Sequence, residues 1–263
     1  QLGVCRVRKN INGELFSLNY DRVCATHLDP IEKKPLYHFL PASTSYSIAA
    51  MGCNFKCKFC QNYSLSVVED ESRIFGEKIP PEKLVQAALN TGSQSISYTY
   101  SEPTIYFELM LETAKLASEK GLKNVMVTNG YMSVEALTMM APYLDAANID
   151  LKGFTENFYR ELCAGDLNPV LETLKTLKKE KVHLEITNLI IPTKNDDMSV
   201  LKEMCLWIRN ELSADTPIHF SRFYPLYKLK SLPPTPVSTL DQARETALSA
   251  GLEYVYVGNI PGH

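Results

Sequence analysis

No apolar run reaches the roughly 18 residues that a membrane-spanning helix needs. No charged and apolar leader opens the chain. Charge of either sign is scarce in excess: 27 Lys and Arg against 30 Asp and Glu leave a net −3, with a pI near 6.0. That balance gives no electrostatic case for nucleic acid or membrane as a partner. The basic stretch 175–181 lies in a helical pattern and reads as a solvated face. No G-x-G-x-x-G follows the first regular strand, which argues against a dinucleotide site. The seven cysteines are an odd number in a chain of 263 residues. This argues against a secreted disulfide framework and for a reducing, cytoplasmic setting. The hydrophobic content, 45%, is enough for one sizeable core or a single barrel.

What is present is concentrated in one loop. Cys53, Cys57 and Cys60 stand in a C-x3-C-x2-C spacing after a small apolar run at 46–52 that reads as a strand. Three thiols this close can converge on one point, and thiolates suit soft metals. An iron–sulfur centre and a structural zinc with a distant fourth ligand are both open on spacing alone. Zinc sites favour two C-x2-C pairs, and one is present. Three ligands would leave an iron–sulfur cluster one open iron. Cys5 and Cys24 lack close partners and read as buried small hydrophobes.

Beyond the loop the pattern is regular. Residues 1–44 read as an irregular N-terminal cap with a small hairpin at 5–8 and 15–18, and 45–263 as the main domain. Strands are expected at 95–100, 124–128, 146–151, 183–191, 218–223 and 254–258. Helices are expected at 81–90, 104–120, 133–141, 156–163, 169–179, 199–211 and 240–250. Alternation of this kind implies right-handed βαβ units and a parallel sheet. At this length that is an open doubly wound sheet or an α/β partial (β/α)6 TIM-like barrel, and of the two the barrel is expected.

In barrels the active site sits at the C-terminal ends of the strands. Those ends carry Ser101, Glu102 and Thr104; Thr128 and Asn129; Asp150 and Lys152; Thr187 and Asn188; His219, Ser221, Arg222 and Tyr224; and Asn259. Each alone has a bland explanation as a cap or turn. Gathered on one rim beside three thiols, they indicate a site.

The cysteine spacing, with Phe59 just before the last thiol, resembles the cluster loop of the radical S-adenosylmethionine (radical SAM) superfamily. Ser101-Glu102-Pro103, Thr128-Asn129-Gly130 and Asp150-Leu151-Lys152 resemble the group containing pyruvate formate-lyase activating enzyme. There Ser101 replaces a glycine, Val127 replaces an aspartate, and Tyr224 falls near an adenosyl-contacting histidine. Segments 29–39, 52–62, 219–225 and 258–263 resemble the AmmeMemoRadiSam system radical SAM enzyme family. That resemblance also implies further cysteine-containing sequence before Cys5 and after His263, with Cys5 a remnant of a second metal motif.

The resemblance implies a [4Fe–4S] cluster on Cys53, Cys57 and Cys60, with SAM at the fourth iron. It implies reductive cleavage of SAM to a 5′-deoxyadenosyl radical, which takes hydrogen from a substrate. Expected cofactor contacts are Phe59, Tyr100, Ser101, Glu102, Thr128, Asn129, Asp150, Lys152, Thr187, Asn188, His219 and Arg222. Cys163 and Tyr224 are candidates for a catalytic role. The expected partners are a small-molecule or protein substrate and an external electron donor. A glycyl-radical-enzyme activase and a non-catalytic metal-binding module are the alternatives.

Overall fold

The computed structural model describes residues 1–260. The last part of the expected 258–263 motif, Pro261 to His263, lies outside them. A hairpin opens the chain, β1 (Arg8–Ile11) and β2 (Glu14–Ser17), turning at Asn12 and Gly13, whose φ angles are 54° and 93°. Both values are left-handed, the conformation that an Asn-Gly turn between twisted strands adopts.

Then come β3 (Arg22–Pro30), β4 (Thr44–Ala50), α1 (Tyr63–Ser66), β5 (Glu77–Lys78), α2 (Pro81–Asn90) and β6 (Ser95–Tyr98). α3 (Phe107–Glu119), β7 (Lys123–Thr128), α4 (Val134–Met140), β8 (Ala146–Asp150) and α5 (Glu156–Phe158) follow. α6 (Asn168–Lys179), β9 (His183–Ile190), α7 (Met198–Trp207), β10 (Ile218–Arg222), α8 (Val237–Ser249) and β11 (Val255–Gly258) complete the order. α5 runs on into a π turn, Tyr159–Cys163.

Nine strands form one sheet in the order β11-β10-β9-β8-β7-β6-β4-β3-β5. From β4 to β11 every neighbouring pair is parallel, and β3 and β5 join antiparallel at one edge. The edge strands β11 and β5 are not paired with each other, so the sheet is a partial barrel left open. This is the expected architecture.

The N-terminal cap differs from expectation. Its 22–30 stretch is a nine-residue strand of the main sheet, bonded to β4, and the 44/45 division falls inside β4 itself. The expected hairpin is also displaced, to β1 and β2.

Side chains alternate between the two sheet faces. One face presents Ile48, Ile96, Met126, Ile149, Ile186, Ile218 and Phe220, all fully buried against the helices. The other presents Asp29, Ser47, Ser97, Asn148, Asp150, Glu185, Thr187, His219 and Ser221, in register across neighbouring strands. Residues 31–39 cross this polar face as a strap. Ile31 and Leu36, both 0% exposed, pack with Val125 and Ala146, with Phe39 and Val127 beside them. Asn148 Nδ2 donates to the Pro35 carbonyl (2.8 Å), and the His38 amide donates to Glu185 (2.8 Å). The strap thereby closes the floor of the barrel and leaves a cavity above it.

Candidate active site

The cavity is about 310 Å³ and opens at the C-terminal ends of the parallel strands. Cys53, Cys57, Phe59 and Cys60 enter it from the loop after β4. Tyr100, Ser101 and Glu102 enter after β6, Thr128 and Asn129 from the end of β7, Asp150 and Lys152 from β8, and Thr187 from β9. These are all three expected cluster ligands and nine of the twelve expected cofactor contacts, placed around one cavity.

The loop is held from behind. The Lys56 and Lys58 amides donate to the carbonyls of Cys163 (2.8 Å) and Leu162 (2.8 Å) in the π turn. Gly165, just past that turn, lets the Phe55 ring approach so closely that a Cβ there would lie 2.3 Å from it. Gly52, at φ 108°, supplies the left-handed backbone that turns β4 into the loop.

Each thiol faces its own protein partner. Cys53 Sγ accepts from the Phe55 amide (3.4 Å) and from Asn129 Nδ2 (3.7 Å). The Cys57 thiol stands against that of Cys163, and the Cys60 thiol against Ser66. Among the described residues no three His, Cys, Asp or Glu side chains already close on one point as ligands. Burial pushes the Cys53 and Cys60 thiols up, and the Cys163 contact together with burial raises Cys57. Alone they stay neutral; a metal supplies the charge that ionises them. Three thiols on one eight-residue loop, with Lys152 the ammonium whose charge acts on all of them, fit a soft cluster.

Glu102 organises the wall. Its carboxylate, 1% exposed, accepts from the Thr104 amide (3.0 Å) and hydroxyl (2.6 Å), the Thr128 hydroxyl (2.6 Å) and the Asn129 amide (2.9 Å). Asn129 in turn donates to Asn54 Oδ1 (2.8 Å), and Asn54 donates to the Tyr131 carbonyl (2.7 Å). One carboxylate therefore ties the ends of β6 and β7 to the cysteine loop. Opposite, Lys152 Nζ pairs with Asp150 (2.9 Å) and stands 5.9 Å from the centre of the Phe59 ring.

Five expected residues are not among those lining the cavity. Asn188 and Arg222 fall on the helix side of their strands, because Thr187 and Ser221 beside them face the cavity. Asn188 donates to the Leu151 carbonyl (2.6 Å), and Arg222 donates to the Thr235 carbonyl (2.7 Å) and to Tyr224 (3.2 Å). Tyr224 donates to the Asn259 carbonyl (3.3 Å) and holds the rim. Cys163 is buried behind Cys57.

His219 is on the polar face but lies in the barrel floor. Its Nε2 is 2.7 Å from Glu185, which also meets His183 at 3.0 Å, and the Tyr37 ring packs on it at 4.7 Å. Burial alone would raise the Glu185 carboxyl, but hydrogen bonds from His183, His219 and the strap amides hold it down to about 2. A depressed carboxylate stabilises the fold fully above its ordinary value of 4.5, and that stabilisation is lost as pH falls toward 2. Glu185→Gln is expected to cost about 3 kcal/mol at neutral pH and to flatten the loss of stability in that acid range. Denaturant titrations of both proteins across acid pH check this; a variant as acid-sensitive as the parent contradicts it.

The sequence reading omitted Lys33, Lys34, Gln61, Asn62, Ser66 and Thr99 from the site, and all six line the cavity. Val127 and Leu189, outside the expected set, add apolar wall, and Ser221, expected only as a strand-end residue, lines the cavity as well.

The family model described as the Radical SAM superfamily matches residues 48–204. An uncharacterized protein of Methanocaldococcus jannaschii is 47% identical over 261 residues, covering 99% of this chain and 77% of that protein. A cysteine-type anaerobic sulfatase-maturating enzyme of Clostridium perfringens is 28% identical over 177 residues, 62% of this chain and 47% of that enzyme. The crystal structure of Streptococcus suis SuiB bound to S-adenosylmethionine superposes with a TM-score of 0.62 at 16% identity, covering 80% of this chain and 48% of SuiB. That last likeness is one of fold. The matched segment begins in β4, spans the cysteine loop and runs through β9 into α7, and on it the chain belongs to the radical SAM superfamily.

Proposed function

We propose that this protein is an enzyme that cleaves SAM reductively and uses the resulting radical to take a hydrogen atom from a substrate seated above the strap. Enzymes of this superfamily use a [4Fe–4S] cluster and SAM. The observation that carries the reading is the single cavity in which all three loop cysteines meet the strand-end polar residues. When bound, the cluster and SAM supply one-electron cleavage of a sulfonium carbon–sulfur bond, giving methionine and a 5′-deoxyadenosyl radical.

The chain's own residues bind, orient and exclude water. Cys53, Cys57 and Cys60 would hold the cluster. Lys152, already at the loop, has the charge and reach for the SAM carboxylate, and Asp150 can accept from ribose hydroxyls or the ammonium. Glu102 has its four donors in place, so it acts by positioning Thr128 and Asn129. The buried helix-side core and the strap shield the cavity from below.

The test is a dithionite-reduced, cluster-loaded preparation assayed for products. Methionine and 5′-deoxyadenosine in equal amounts are the expected result, and no nucleoside would overturn the reading. Cys163 is off the cavity, so Cys163→Ala is expected to keep its iron and its SAM cleavage while losing about 1 kcal/mol of stability. Iron content and nucleoside yield check this; loss of the cluster would make Cys163 a ligand.

A protein substrate is the second reading. It is favoured by the similarity to a sulfatase-maturating enzyme, whose name records action on a protein. An activase of a glycyl-radical enzyme belongs to this reading, and a radical signal transferred to a co-purified partner would establish it.

A further inference from the structure

We propose that the substrate carries an anionic group, a carboxylate or a phosphate, which Lys34 and Lys33 seat on the strap side of the cavity. The proposal rests on reading this cavity as the site of SAM cleavage. Lys34 is 2% exposed, yet it lines the cavity. Lysine is almost never buried without a reason that its partners make plain. Its ammonium has three donors. One meets Asp29 Oδ2 at 2.6 Å, while the Tyr100 hydroxyl stands at the 3.5 Å limit and the Tyr100 ring lies 4.6 Å below. Donor capacity is therefore left over on a charge that burial has stripped of water.

Asp29 cannot absorb it. Its carboxylate already accepts from Lys33 (2.8 Å), Lys34, Ser47 (2.8 Å) and the Tyr100 hydroxyl. One carboxylate against two ammoniums leaves this end of the cavity with an excess of one positive charge. The two carboxylates that line the cavity are engaged elsewhere, Asp150 by Lys152 and Glu102 by its four donors. Lys152 is held by Asp150 and stands 5.9 Å from the ring of Phe59, next to Cys60 in the loop, which assigns it to the cofactor end.

The lysines are held in place before any ligand arrives. The strap that bears them is fixed by Ile31 and Leu36 in the floor and by the Asn148 bond to Pro35. A preorganised ammonium with open donors is a receptor for an anion, at little ordering cost. Radical cleavage of SAM makes no demand for charge at this end, so the charge reports on the substrate.

The test uses cluster-loaded, SAM-bound protein titrated calorimetrically with two probes, inorganic phosphate and glutarate. At least one is expected to bind in the millimolar range or tighter, and the probe that binds names the anion class. Lys34→Met and Lys33→Met are each expected to weaken it by about tenfold or more. Because Lys34→Met strands Asp29, the double variant Asp29→Asn with Lys34→Met keeps the comparison within a folded protein. It too should lose binding. Lys123→Met, whose ammonium pairs with Asp145 away from the cavity, should bind as the parent does. No binding of either probe to the parent protein, or parent-like binding by the double variant, overturns the proposal. Nucleoside formation in the same preparation separates this from the function: SAM cleavage without anion binding sinks only the anion subsite, and anion binding without cleavage sinks only the reaction.

Discussion

Cys57→Ala is expected to end SAM-dependent formation of 5′-deoxyadenosine, leaving nothing above the assay blank. Of the three loop cysteines it is the most deeply enclosed, 9% exposed, and its thiol is fixed between the π turn and the cavity. Removing it leaves two thiolates, too few to hold a cluster of about four irons with one site open. Iron per chain should fall with activity, while the fold, whose core is built mostly on the helix side of the sheet, should remain. Metal analysis, nucleoside assay and circular dichroism on the same sample check all three. A variant that keeps full iron and nucleoside yield would show that the cluster is ligated elsewhere.

The second large effect is expected at Glu102, where a substitution of one oxygen acts on three elements. Glu102→Gln keeps the volume but replaces an acceptor oxygen with an amino group that cannot accept. At least one of the Thr104, Thr128 and Asn129 donors is then buried without a partner. The expected loss is about 3 kcal/mol, since an unsatisfied buried group bears its full desolvation cost. That corresponds to a drop of roughly 10 °C in melting temperature. Asn129 also braces Asn54 and Cys53, so SAM affinity should fall with stability. Thermal melts and SAM titration of the loaded protein check both. An unchanged melting temperature would mean that the four-donor cradle contributes nothing.

The cysteine loop was legible because three thiols in eight residues are a local signal that needs no tertiary information. The gathering of strand-end residues around one cavity was legible for a related reason: one βα unit after another delivers its last residue to the same rim. What failed was face. Thr187 and Asn188 are consecutive in a strand and cannot both look into one cavity; the same parity removes Arg222 in favour of Ser221. Applying the period-two rule to 183–191 and 218–223 would have dropped Asn188 and Arg222.

His219 has the correct face and pairs in register with Thr187, but the Tyr37 ring of the strap packs on it and Glu185 engages its imidazole. That strap is where the sequence was least informative. The 22–30 segment joins an antiparallel edge, where its mixed polar and apolar residues show no run typical of a buried parallel strand. Lys33 and Lys34 consequently read as part of an irregular cap. Their placement depends on Ile31 and Leu36 packing against Val125 and Ala146, more than 85 positions away, which no local pattern encodes. The one available signal was the resemblance of 29–39 to a family segment, a clue to importance without a location.

The measurement that most directly tests the central claim is the electron paramagnetic resonance spectrum of the anaerobically reconstituted, reduced protein, recorded with and without SAM. The account predicts a [4Fe–4S] signal whose g-values shift when SAM is added, and no such signal from Cys57→Ala. A cluster signal indifferent to SAM, or zinc in place of iron at one per chain, would contradict it.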